Sequence, residues 1–310
     1  MIRKILPEPS IVSVAHIILP VFLLIILGYI LARRGTIDSH ANKALGSLAF
    51  KLFMPMVLFT GMVNAPLHDG LNIKILAAYF VPALLIFAVV NIITHRHMGN
   101  PTPFGLTASF SNNALIGLAM VAGMYGDAGL VLLFTVLAVH SLLLFGFQSL
   151  YSTLAGSEPF KPGVLLASLA NPMIIGLLLG TAVNLAHLTL PDWSMKLATW
   201  LAQAALPCAL IVLGANLAGF RLRPNAAVVG ITVAKLAIMP LVVLLGCVLL
   251  HISGMPRGVL VLMAANPSGV NVLGFSRSQQ DSQITSSAIC LTTLLSMGTL
   301  PVWIWVNALF

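Results

Sequence analysis

Charge is what this 310-residue chain has least of: 7% of its residues are Asp, Glu, Lys or Arg, while 59% are hydrophobic. Soluble domains carry roughly 25% charged residues, so a soluble fold is excluded. Mean hydropathy is +1.04. The longest polar interval, 155–162, reads as a loop too short for a soluble domain. Acid is scarcest of all. The seven carboxylates, Glu8, Asp38, Asp69, Asp127, Glu158, Asp192 and Asp281, fall in loops or at the ends of apolar runs. Cation exchangers and proton pumps keep an acid in mid-membrane; none is placed to serve here, which argues against a cationic substrate.

Cysteine is nearly absent too. Cys208, Cys247 and Cys290 each sit alone in an apolar run, a pattern of small hydrophobes rather than a disulfide or metal framework. G-x-S-x-G, H-E-x-x-H and P-loop patterns are missing, and an intramembrane hydrolase would need an acid dyad or a nucleophile–base pair, so enzyme chemistry is not expected. The 15 Lys and Arg exceed the 7 acids to give a net charge of +8. They are scattered over short loops with no stripe to track phosphates, so no nucleic-acid partner is expected.

What the chain does have is apolar length. Crossing a bilayer takes about 20 mostly apolar residues, and charge, Pro and Gly punctuate the sequence into ten such spans: 11–33, 40–64, 72–94, 102–124, 128–153, 162–186, 194–218, 225–250, 257–276 and 282–308. Arg3 and Lys4 precede the first, but its apolar part runs from Ile11 to Ala32 and closes on Arg33-Arg34. That is too long for a signal peptide, so it is a retained span. An offset of 152 residues superimposes Pro20 on Pro172, Gly28 on Gly180, Pro55 on Pro207 and Asn64 on Asn216. The chain therefore divides into a first repeat, 1–154, and a second, 155–310. Five is odd, so the second repeat enters from the opposite face and the repeats are inverted.

Loops after odd-numbered spans hold eight basic residues, Arg33, Arg34, Lys43, Arg96, Lys161, Arg221, Arg223 and Arg277. The other face holds five: Arg3, Lys4, Lys74, Lys196 and Arg257. Positive-inside counting places both termini outside the cytoplasm, and Trp303 and Trp305 fit an aromatic belt on that face.

Two polar interruptions mark the chemistry. Ser111-Asn112-Asn113 cuts the fourth span and Asn266-Pro267-Ser268 the ninth, at matching places in the repeats. Asn is a favoured N-cap and Pro suits the first helical position, so Asn266-Pro267 reads as a helix restart inside the membrane. Ser111, Asn112 and Asn113 supply the same capping chemistry without proline. Helix N-termini leave N–H groups free and carry partial positive charge; two of them meeting would make a pocket for an anion. Lys51, His140 and Lys235 are the intramembrane ionisable groups. The lysines are substrate contacts or snorkel to an interface, whereas His140 is too deep to snorkel and could carry a proton or bind a carboxylate. His95 and His97 flank Arg96 in what reads as a solvated loop.

These residues resemble the auxin efflux carrier family, bacterial branch. The likeness runs through Leu27-Gly28-Tyr29, Arg33-Arg34-Gly35, Pro55, Asn171-Pro172, Leu213-Gly214, Lys235 to Pro240, Asn266 through Leu273 and Leu300-Pro301-Val302-Trp303. The resemblance implies an all-α polytopic membrane protein whose broken helices four and nine cross at the substrate site. It also implies a scaffold of helices one, two, six and seven able to form a homodimer, and a mobile domain of helices three to five and eight to ten. The cargo would be a small organic anion, a mono- or dicarboxylate, moved by alternating access across the bacterial inner membrane. The crossover residues carry over as Asn112, Asn113, Asn266 and Pro267, and helix five adds Thr135 and His140. The candidate site is thus Ser111, Asn112, Asn113, Thr135, His140, Asn266, Pro267, Ser268 and Asn271, with Lys51 and Lys235 as further contacts. The first crossover, Ser-Asn-Asn-Ala-Leu-Ile-Gly, departs from the family in lacking the usual proline. No cofactor is called for. Coupling to protons or sodium is open, a sodium-coupled bile-acid-type carrier is the alternative, and a non-transporting membrane sensor is the reading from another class.

Overall fold

Lipid offers no partners to backbone N–H and C=O groups, so apolar runs of this length fold as helices that bond within themselves. The computed structural model describes residues 11–63, 65, 73–155, 163 and 170–310. Arg3, Lys4, Glu8, Asn64, Asp69, Glu158, Lys161, most of the polar interval 155–162 and most of the opening of the sixth span lie outside the described residues. Seven of the described helices are long and apolar enough to cross a membrane. They are α1 (Ile11–Arg33), α2 (Ser39–Val63), α3 (Ile73–Met98), α5 (Asn113–Leu154), α7 (Asp192–Gly219), α8 (Ala226–Leu249) and α10 (Gln279–Ala308). Between them lie the six-residue α4 (Phe104–Ser109) and the shorter apolar helices α6 (Pro172–Leu185) and α9 (Gly254–Ala265).

The helix ends follow from local chemistry. The Asp38 side chain accepts from Ala41 N at 2.7 Å to start α2. Asn171 accepts from Met173 N at 3.0 Å ahead of Pro172 in α6, and Ser278 with Asp281 forms a reciprocal capping box on α10. Wide π turns interrupt α2 at Ala49–Phe53 and α8 at Ala234–Ile238. Each lies just ahead of a proline, Pro55 or Pro240, whose ring would otherwise clash with the preceding turn and whose missing N–H leaves a carbonyl there without its helical donor. In α8 the released Leu236 carbonyl accepts from Trp303 Nε1 at 2.7 Å.

The expected gap between the fourth and fifth spans shrinks to one residue. Gly126 has φ 58° and ψ −152° inside the run Asn113–Leu154, and so divides α5 into two helices. Only glycine holds that conformation without strain. A Cβ there would meet nothing within 4 Å, so Gly126→Ala should cost about 1–3 kcal/mol through the backbone alone. Thermal unfolding in detergent checks this, and an unchanged Tm would show that the break relaxes. The third span also runs longer than expected. His95, Arg96 and His97 form the last turn of α3 rather than a loop, because the backbone stays helical to Met98. There His95 Nδ1 lies 3.0 Å from the Tyr151 hydroxyl.

Close backbone contacts assemble the helices. A Cβ on Gly28 of α1 would strike the Ile211 carbonyl of α7, and one on Gly214 would strike Ile25 O. On the other side, Gly176 and Gly180 of α6 lie against the backbone of Pro55 and Phe59 in α2. Asn184 Nδ2 adds bonds to the carbonyls of Met62, Val63 and Ala65 at 2.9, 2.8 and 2.9 Å. Glycine at such crossings lets helices approach where lipid supplies no hydrophobic drive. The 152-residue offset carries Gly28 onto Gly180 and Phe59 onto Ile211, so the α1–α7 and α2–α6 contacts exchange under it. Many large apolar side chains face outward, among them Leu23, Val81, Leu178 and Trp200. The broken helices lie deepest: every residue of α4 is buried, as is Gly258–Ala265 of α9.

Candidate functional site

The two interruptions meet. α4 stops at Ser109, the chain runs extended through Phe110, and α5 begins at Asn113. α9 stops at Ala265, and the chain is extended from Asn266 to Gly269 before a 3-10 helix at Val270–Phe275. The extended pieces pass antiparallel, bridged at Ser111 and Ser268. Asn112 N donates to Pro267 O at 2.8 Å and Gly269 N donates to Phe110 O at 3.0 Å. Groups freed by each break are thus satisfied by the other, as burial at this depth requires. Ser268 Oγ donates to Thr107 O at 2.7 Å, and Thr292 Oγ1 accepts from Ser268 N at 3.2 Å. A Cβ on Gly269 would sit 2.7 Å from the Phe110 ring, so the crossing needs glycine there.

The capping expectation is corrected at both breaks. Asn266 does not start a helix; it closes α9 with φ −60° and ψ 149°. The residue before a proline is pushed from helical to extended conformations, and Pro267 thereby prolongs the break instead of ending it. The restart comes at Val270, with Gly269 in the cap position and no side chain to cap it. At the other break Asn112 occupies the cap position, but its side chain makes no capping bond. One full helix N-terminus, that of α5, therefore points into the site rather than two.

The asparagines bond across the crossing instead. Asn266 Nδ2 donates to Asn113 Oδ1 at 2.8 Å, and Asn113 Nδ2 donates to the Tyr79 hydroxyl at 2.9 Å. That hydroxyl donates to Ser111 Oγ at 3.3 Å and lies 3.4 Å from His140 Nε2. All five side chains are buried. Gly117 makes room for them: a Cβ would approach Asn266 Nδ2 to 2.7 Å and Asn113 Oδ1 to 2.9 Å. Tyr79 is a member that sequence reasoning missed.

Beside this network is a recess of about 60 Å³, between the crossing and helices α2 and α6. Ser111, Asn112, His140, Ser141, Asn171 and Asn271 give it polar atoms, while Phe50, Leu58, Phe110 and Leu177 give it apolar wall. Ala114 and Leu115, from the first turn of α5, also line it. Their N–H groups precede the first intrahelical acceptor and bring the positive end of the helix to the recess. Among the described residues, the Asn112 Nδ2 buried there has no hydrogen-bond partner.

Of the residues singled out in the sequence, Ser111, Asn112, His140 and Asn271 line the recess. Asn113, Asn266, Pro267 and Ser268 lie behind it and fix the crossing. Thr135 bonds back to Val131 O at 2.9 Å within its helix and does not line it. Lys51 is exposed on α2. Lys235 is sealed away from the recess, its ammonium donating to Ala264 O at 2.6 Å. Asn171 and Ser141 were missed; Asn171 stood in the sequence only within the Asn171-Pro172 pair of the family likeness. Among the described residues no three His, Cys, Asp or Glu side chains gather as metal ligands.

Over most of its length the chain is similar to proteins described as transporters. A protein of Methanothermobacter thermautotrophicus described as "Uncharacterized transporter" is 26% identical over 292 residues, covering 92% of this chain and 96% of its own length. A Rhizobium meliloti protein described as "Putative malonate transporter" is 26% identical over 302 residues, 93% of each chain. Residues 13–155 and 160–304 match the family described as "Membrane transport protein". The two matched stretches meet between α5 and α6 and take in both halves of the crossing. The chain is a multi-pass membrane protein of the transporter family known for the auxin efflux carriers.

Proposed function

We propose that the protein carries a small organic anion, a mono- or dicarboxylate, across the bacterial inner membrane by alternating access. The carrying observation is Asn112: a buried amide donor without a partner among the described residues, lining a recess that also receives the N-terminal turn of α5. An unpaired buried donor is costly, and a carboxylate oxygen is the acceptor that both it and the helix end favour. The recess has room for ~4 water molecules at about 15 Å³ each, which fits a substrate of few atoms. The description of the Rhizobium meliloti relative adds malonate to the compounds worth testing.

The recess lies where one rigid group would slide on another. The crossing forms one wall, and α2 and α6, part of the group held together by glycine contacts, form the other. In this reading spans one, two, six and seven are the scaffold, with the homodimer contact, and spans three to five and eight to ten move. The halves 1–154 and 155–310 are inverted five-span repeats with both termini periplasmic. The exchange of the α1–α7 and α2–α6 contacts supports the repeat, as does the local two-fold of the Ser111–Ser268 bridge.

Uptake of labelled mono- and dicarboxylates into proteoliposomes is the test. At least one short carboxylate should accumulate above protein-free vesicles and be competed by unlabelled compound. Transport of amines or neutral solutes with no carboxylate uptake would refute the anion reading.

A further inference from the structure

Lys235 is wholly enclosed, in the middle of the membrane span α8. Burying an ammonium is expensive unless its charge and protons are met, so its surroundings define its role. It does not line the recess. The wide turn Ala234–Ile238 carries it, and its Nζ donates to the carbonyl of Ala264 at 2.6 Å. Ala264 is the penultimate residue of α9, where the final carbonyls lose their intrahelical partners and the negative end of the helix dipole collects. Two residues further on, Asn266 holds a buried side-chain oxygen that has no partner among the described residues. This is an oxygen-rich, negative helix end at the crossing. In transporters built on broken helices, such carbonyl ends are where coupling cations bind.

We propose that Lys235 is a tethered cation: its ammonium holds the place on the α9 carbonyl end that an alkali ion would otherwise take, and it counter-charges the anion at the crossing. The second half of this statement rests on the anion-transport reading above; the first does not. The carrier then needs neither sodium nor potassium, and the charge of a bound monoanion is matched by that of Lys235.

The experiment compares wild type, Lys235→Ala and Lys235→Met, purified and reconstituted in choline, sodium, potassium or methylammonium chloride. Alanine leaves space for a small cation; methionine refills the space without charge. Wild-type uptake should be the same in all four salts. Lys235→Ala should lose about tenfold or more in choline, from loss of the charge at the helix end, and recover in methylammonium or sodium. Its thermal stability should rise in those two salts over choline, by binding linkage, while that of wild type should not. Lys235→Met should stay inactive in every salt. The proposal is overturned if wild type requires sodium or potassium, if Lys235→Met transports at the wild-type rate, or if folded Lys235→Ala is neither rescued nor stabilised by a small cation. Should wild type carry no carboxylate, the transport reading fails by itself and the thermal shifts still decide the cation site. Should Lys235→Ala fold only when purified in methylammonium or sodium, that recovery supports the proposal; failure in all four salts overturns it.

Discussion

Gly214→Val should prevent stable assembly, lowering stability by about 3 kcal/mol or more. The residue is buried where α7 crosses α1, and a Cβ would land on the Ile25 carbonyl. Backbone cannot swing aside as a side-chain tip can, so the helices would have to separate along their length. Gly28→Val should do the same from the other helix, because its Cβ would land on Ile211 O. The two costs should not add, since the second substitution enters an interface already forced apart. Gly230→Ala is the control with the opposite sign. Gly230 is exposed within α8, with nothing near its missing Cβ, so alanine should be neutral or stabilise by up to about 1 kcal/mol. Thermal unfolding of detergent-purified protein measures all three. If Gly214→Val melts with wild type, these helices do not meet as described.

Most of this architecture was legible in the sequence because bilayer thickness and helix punctuation act locally. Asp192–Gly219, Ala226–Leu249 and Gln279–Ala308 fall within three residues of the expected seventh, eighth and tenth spans at each end. The direction of a break was harder. Asn-Pro is a helix-start signature, yet proline also forces its predecessor out of the helix, and here the second effect prevails. It does so because the extended backbone of Asn266–Gly269 gains two hydrogen bonds from the opposite break, 155 or more residues away in sequence at Asn112 and Phe110. No local signal carries that information. Lys51 and Lys235 were equivalent on the same grounds: both sit in wide turns ahead of a Met-Pro pair. Only packing separates them, leaving one exposed and enclosing the other. Tyr79 gave no signal, because a lone tyrosine in an apolar run looks like core until Asn113, Ser111 and His140 converge on its hydroxyl.

The same convergence separates two neighbouring asparagines by experiment. Asn112→Ala should cut carboxylate uptake by about 10- to 150-fold, equivalent to a hydrogen bond to a charged group of roughly 1.5–3 kcal/mol, without lowering stability. Its amide donor has no partner among the described residues to lose, and removing a buried unsatisfied group is neutral or favourable. Asn112→Asp should abolish uptake, since a carboxylate would then face the carboxylate it should bind. Asn113→Ala should behave differently. It strands Asn266 Nδ2 and removes a donor from the Tyr79 hydroxyl, costing about 1–3 kcal/mol of stability for the unsatisfied buried donor. Uptake per folded molecule should also fall as the crossing loosens. Transport assays paired with thermal unfolding on each purified variant distinguish these outcomes. Wild-type uptake by Asn112→Ala would remove Asn112 from the anion site, whereas a large fall in its Tm would make it a structural residue like Asn113. The expected pattern, function lost with stability kept, is the mark of a buried donor held unsatisfied for a substrate that comes and goes.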